Sequence, residues 1–208
     1  MYLVPMTKNR LEAFSDGVFS ISITLLVLSI RVPGKEVETN RQLISALKDS
    51  WPNVVTFVFS FLVVGVFWVA HHRIFAYIKK VNHFILWANI FYLMMIALIP
   101  FPVAILAQHP FFPSAIILYC FVLFLCGSHH FIFLLYINRN RAYMEGTVTS
   151  AELRKVLGVA AVGPVCYLAG GVFSLVSPAI SFGFILAALL FYIVVVYYLV
   201  RGKVTIIR

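Results

Sequence analysis

No Lys, Arg, Asp or Glu occurs between Lys80 and Arg139, and none between Lys155 and Arg201. A soluble fold cannot hide two such stretches. Soluble domains are about half apolar, whereas this chain of 208 residues is 62% hydrophobic and 11% charged. A helix needs about 20 mostly apolar residues to cross a bilayer, so each stretch has room for two crossings. Turn chemistry divides them at Gln108-His109-Pro110 with Pro113, and at Ser177-Pro178. Two earlier apolar runs add a crossing each, the first closed by Val32-Pro33-Gly34. The sequence therefore predicts an all-α membrane protein, a single domain over residues 1–208. Its six helices fall roughly at 11–30, 52–71, 83–107, 112–137, 156–176 and 180–200. The N-terminal run follows Lys8 and Arg10 as in a signal peptide, but it is longer than such a core and no small-x-small site follows.

The net charge of +9 does not point to nucleic acid, because the basic residues sit in short loops beside the apolar runs. With six crossings, both termini share a side. That side holds Lys8, Arg10, Arg73, Lys79, Lys80, Arg139, Arg141, Arg154, Lys155, Arg201, Lys203 and Arg208; the other holds Arg31, Lys35, Arg41 and Lys48. The positive-inside rule places both termini in the cytoplasm. Between the first two crossings, Leu43, Ile44 and Leu47 share one side of a short segment ending at Trp51, which predicts an amphipathic helix at the interface.

The first crossing is the functional candidate. Asp16 lies just inside it, six residues after Arg10, and an intramembrane carboxylate needs a partner or water. Six residues put the two on different sides of a helix, so each should meet another helix or subunit; His71, His72 and Arg73 are candidates by topology. The pair reads either as a clasp that fixes packing or as a means of attracting cations. Gly17, Ile21, Thr24, Leu25 and Leu28 form one stripe along the helix. That stripe is either ordinary packing, which favours small and hydroxyl residues, or a hydrophobic constriction that gates by dewetting. A pore built on one helix per chain requires several copies, since no internal repeat is visible.

Other chemistry is thin. Cys120, Cys126 and Cys166 lie inside apolar runs and read as packing residues, with no disulfide framework or metal spacing. His71-His72 and His129-His130 could ligate haem or a metal, or simply hydrogen-bond. Neighbouring histidines point about 100° apart, so only one of each pair should face a shared site. No nucleophile motif, phosphate loop or T-V-G-Y-G filter occurs. Gly158, Gly163, Gly170 and Gly171 read as close-packing positions, with Pro164 as a kink.

Arg10-x-x-x-Phe14-Ser15-Asp16-Gly17-Val18, with its S/I/T/L-rich helix, resembles the transmembrane protein 175 family. So do Trp68 to Phe75, Leu86 to Asn89, and Ile99 to Pro102. The second half matches in hydropathy only. The resemblance implies a homotetrameric potassium-permeable channel with the first helix lining a central pore. It implies constriction positions at Ile21, Leu25 and Leu28, and a selectivity-related hydroxyl at Ser20 or Thr24. It also implies a helix-1 motif of Arg10, Phe14, Ser15 and Asp16, with Trp68, His71 and Asn89 in the same polar network. The implied partners are potassium ions, with sodium, caesium or protons as further permeants, and the bilayer of the plasma membrane. No cofactor, metal or catalysed reaction is called for. A proton- or cation-coupled transporter using Asp16 and His71, and a haem-binding membrane protein, are the competing readings.

Overall fold

The computed structural model describes residues 7–30, 34, 37–144 and 149–204. Its elements are α1 (Lys8–Leu25), α2 (Asn40–Asp49), α3 (Trp51–Ala76), α4 (His83–Leu98), α5 (Pro100–Gln108), α6 (Pro113–Arg139), α7 (Ser150–Phe173) and α8 (Pro178–Val204). Short 3-10 turns follow α1 and α6. Among the described residues, six spans are long and apolar enough to cross a membrane, α4 and α5 together making one. The predicted stop at Val32-Pro33 lies outside the described residues, as do Arg31, Lys35 and Arg208.

The helix starts are set by side chains. Thr7, Thr39, Asn82 and Thr149 each accept from the backbone N–H three residues on, and Gln42 and Glu152 complete two capping boxes. These caps begin α4 at the predicted residue. They start α7 and α1 earlier than apolar character alone suggests. The first span also finishes early. Its last turn, Leu26–Ser29, tightens to 3-10, with the Ser29 hydroxyl donating to the Leu26 carbonyl at 2.7 Å. α3 continues five residues past the predicted end, to Ala76, because Ile74 and Phe75 are buried against α6 rather than released to solvent. α2 has no buried residue; Leu43, Ile44 and Leu47 are all exposed on it, as an interfacial helix requires.

Two spans depart from straight helices. The predicted third crossing is uninterrupted, but the chain breaks between α4 and α5. Pro100 has no N–H to offer the Ile96 carbonyl; Ile99 donates to it instead, at 3.1 Å. α7 carries Pro164 in its interior. Just before it, the Tyr192 hydroxyl reaches across from α8. It accepts from the Gly163 N–H at 2.8 Å and donates to the Val159 carbonyl at 3.2 Å. The tyrosine thus satisfies backbone groups that lipid could not.

The main core joins α1, α3, the α4–α5 span, α6 and α8 through Phe19, Val64, Tyr92, Ile116, Leu123 and Ile185. A second cluster, around Leu11, Phe75, Ile78, Ile85 and Ile137, closes the end where α3, α4 and α6 meet the loops. Cys120 and Cys126 are buried in the main core, while Cys166 is only half-buried. Formal charges stay near the span ends; Asp16 is the one set deepest.

The glycines of α7 differ from one another. A Cβ on Gly163 would lie 2.7 Å from the Tyr192 hydroxyl, and one on Gly170 3.3 Å from the Cys120 sulfur, so both are close-packing positions. A Cβ on Gly158 would meet nothing within 4 Å, so the expectation of close packing fails there: this position faces open space, while Leu157 and Ala160 beside it pack inward. Gly163→Ala should therefore destabilise the protein by about 1–3 kcal/mol through overpacking. Gly158→Ala should be neutral or slightly stabilising, and Tyr192→Phe should recover part of the Gly163→Ala loss. Thermal unfolding of Gly163→Ala, Gly158→Ala and the Gly163→Ala, Tyr192→Phe double variant in detergent checks this ordering.

Candidate functional site: the polar clasp and outer face of the first helix

Three spans meet at a buried polar chain. Ser15 on α1 is fully buried, and its hydroxyl donates to the Leu11 carbonyl at 2.7 Å. It also accepts from the Asn89 Nδ2 of α4 at 3.0 Å. Asn89 Oδ1 in turn lies 2.8 Å from His71 Nε2 of α3. Since the amide oxygen can only accept, His71 carries its proton on Nε2 and donates. Ser15 and Asn89 each give one hydrogen and take one, and His71 gives its Nε2 proton, so the three side chains form one continuous run of donors and acceptors.

A second link lies at the surface of the same helices. The Trp68 indole Nε1 donates to Asp16 Oδ1 at 2.8 Å. The partner of Asp16 is thus not among His71, His72 and Arg73. His71 points one turn further in, to Asn89, and His72 lies outside, stacked on Trp68 at 6.0 Å. The structure brings Ser15, Asp16, Trp68, His71 and Asn89 together. Arg10 and Phe14 stay outside: both are exposed, and the Arg10 guanidinium has no partner among the described residues.

Around His71 lies an aromatic box that the sequence did not reveal. Its ring is stacked on Tyr92 at 5.6 Å with planes 4° apart, and it also meets Phe75 at 4.4 Å and Phe19 at 5.6 Å. His129 and His130 both pack on Tyr92, at 5.1 and 4.7 Å. Both neighbours thus reach one aromatic ring. The Tyr92 ring is stacked on His129 and edge-on to His130. The one available signal was Tyr92 itself, three residues after Asn89 and so on the same helix face. Among the described residues, no group of three His, Cys, Asp or Glu is placed to hold a metal.

The clasp also decides which way α1 faces. Leu11, Ser15, Phe19, Ser22, Leu26 and Ser29 form its buried side. The opposite side turns away from the chain's own helices: Ile21 is 61% exposed, Leu25 43% and Leu28 75%. Gly17, Ser20 and Thr24 are exposed on the same side. The Thr24 hydroxyl donates to the Ser20 and Ile21 carbonyls at 3.0 and 2.9 Å, which leaves its oxygen free to accept outward. The hydroxyl of Ser20 has no hydrogen bond among the described residues.

This architecture is shared. A solved structure described as the crystal structure of a lysosomal potassium-selective channel TMEM175 homolog from Chamaesiphon minutus matches with a TM-score of 0.79 and 31% identity; the match covers 90% of this chain and 96% of that one. The chain belongs to the TMEM175 family. The family model described as "Endosomal/lysosomal potassium channel TMEM175" matches residues 10–100, which contain every residue of the clasp. A potassium channel of Chamaesiphon minutus is 44% identical over 107 residues, 51% of this chain and 53% of its own length. One of Streptomyces collinus is 45% identical over 102 residues, 49% and 48% respectively. The endosomal/lysosomal proton channel TMEM175 of Danio rerio is 35% identical over 112 residues, 51% of this chain and 22% of its own. In these sequence matches the chain spans about half the length of its TMEM175-family relatives in bacteria.

Removing the Asn89 amide strands the buried His71 N–H and leaves Ser15 with only its bond to the Leu11 carbonyl. Asn89→Ala should cost about 1–3 kcal/mol, and Trp68→Phe, which acts at the exposed link, should cost less. The relative melting temperatures of the two variants in detergent give the check.

Proposed function

We propose that the protein is a passive, potassium-permeable cation channel of the plasma membrane, built as a homotetramer with both termini in the cytoplasm. Four copies of α1 surround a central axis and turn Ile21, Leu25 and Leu28 toward it as the narrow, dewetting part of the path. Ser20 and Thr24 supply hydroxyl oxygens beside it for a partly dehydrated potassium ion. The clasp of Ser15, Asp16, Trp68, His71 and Asn89 holds α1 against its own subunit, so that the axis is lined by the outer face alone; Arg10 and Phe14 act between subunits. The protein catalyses no reaction and needs no cofactor.

The observation that carries this reading is the outer face of α1. It is a continuous stripe of exposed branched side chains and hydroxyls, on a helix whose other side is pinned by three hydrogen-bonded polar groups. Family membership and the relatives named as potassium channels support the ion. A second reading, in which protons also pass, is favoured by the name of the Danio rerio relative, a proton channel. A coupled transporter using Asp16 and His71 is less well supported, because His71 is committed to Asn89 and Asp16 to Trp68.

Planar-bilayer recording under potassium, sodium and proton gradients tests the proposal. Single-channel steps at fixed voltage with potassium carrying current are expected; saturable flux that requires a second ion would overturn it. Ile21→Asn should raise ion flux or lower selectivity by wetting the constriction, and unchanged flux and selectivity would remove Ile21 from the path. Asp16→Ala should lower tetramer yield, read by oligomer mass in detergent.

A further inference from the structure

A cavity lies on the far side of α3 from the clasp, between α3, α6, α7 and α8. It has a volume of about 190 Å3. Its walls are apolar: Val66 and Ile74 on α3, Leu134 on α6, Val159 on α7 and Val196 on α8. Val69, Ala70 and Val195 at its rim are only half-buried, so it opens sideways out of the bundle. It follows α3 from Val66 to Tyr77. At roughly 1.5 Å per residue that is roughly 16 Å, close to half of a hydrocarbon core of about 30 Å. The groove is one leaflet deep.

Its two ends differ. The deep end is hydrocarbon. The shallow end, where α3 finishes and α7 begins, carries Arg73 and Lys155. Neither forms an ion pair among the described residues. Glu152, one turn before Lys155, spends its carboxylate on the N–H and hydroxyl of Thr149. Between the ends sits a third feature. His130 lines the groove, is 7% exposed, and makes no well-formed hydrogen bond at either ring nitrogen, with only the backbone of Ala70 and Cys126 beside it. Its ring lies 6.3 Å from that of Phe67, which is six residues, or roughly 9 Å of helix, deeper than Arg73. A buried unpaired imidazole is costly unless a ligand or water completes it.

We propose that this groove binds an anionic phospholipid, with its phosphate between Arg73 and Lys155, its glycerol-ester carbonyl accepting from His130, and one acyl chain along Val66, Ile74 and Val159. The basic end is the end that the charge asymmetry assigns to the cytoplasm, where anionic lipid is recognised by basic side chains at the span ends. The site is independent of the conduction path, and its test reads lipid rather than current.

The full chain, purified in detergent and stripped of lipid, is titrated with phosphatidylglycerol and with phosphatidylcholine, and bound lipid is counted by native mass spectrometry. Two lysine- or arginine-type contacts should favour phosphatidylglycerol about tenfold or more. The double variant Arg73→Gln, Lys155→Gln should bring it to the phosphatidylcholine level. Ala160→Phe, which fills the groove without touching its charges, should reduce retention of both lipids, and Arg73→Lys should keep most of the preference. Equal binding of the two lipids overturns the proposal, as does unchanged phosphatidylglycerol binding in the helical, oligomeric double variant. Oleate displacing phosphatidylglycerol at equal concentration would mean that a free fatty acid is the ligand. Ala160→Phe breaking the oligomer while phosphatidylglycerol stays bound would put a second copy in the groove. Either result also overturns it.

Discussion

One carboxamide ties the three spans that matter most. Asn89 is both donor and acceptor, and it uses each capacity once, toward Ser15 of α1 and toward His71 of α3. Few side chains could replace it. A carboxylate could accept from His71 but would not donate to Ser15, and it would bring a charge into the bundle. A leucine would leave the His71 N–H unpaired and the Ser15 oxygen without its donor, both at buried positions. Because α1 is held on this side, its remaining face is presented outward as a fixed surface rather than rolling on its neighbours. The channel reading rests on that fixed orientation.

The helices away from the clasp show the same constraint at work on the backbone. Where Pro100 withdraws an N–H, the span yields and restarts as a second helix. Ahead of Pro164, α7 stays continuous, and a phenolic hydroxyl from α8 enters between Gly163 and Val159. The difference lies in the neighbours. α8 packs close enough at Gly163 for a tyrosine to reach, because no Cβ stands in the way. Lipid offers no substitute partner, so the protein must supply one.

Six crossings were legible in the chain because hydropathy and charge asymmetry gave the same count. The ends were less so. Thr7 and Thr149 cap their helices through local hydroxyl geometry that a hydropathy window does not sense. α3 outran its expected limit because Ile74 and Phe75 are held by tertiary packing. In the site, the residue types of the clasp were visible, but their pairing was not. His71, His72 and Arg73 were the candidates for Asp16 by topology; geometry gives it the Trp68 indole instead, and reserves His71 for an amide. Tyr92 escaped notice because an aromatic on an apolar helix looks like any other core residue until its neighbours are known. Gly158 shows the converse error, since a glycine pattern in a membrane helix does not say which glycine faces a neighbour.

The confinement of charge to the span ends has an electrical consequence. Moving one elementary charge through a drop of 100 mV involves about 2.3 kcal/mol. The carboxylate set deepest in these spans, Asp16, is tethered by Trp68, and the buried junction of Ser15, Asn89 and His71 has no carboxylate, ammonium or guanidinium. The membrane potential thus finds little in the described spans to push against, and acts chiefly on whatever ions occupy the space outside them.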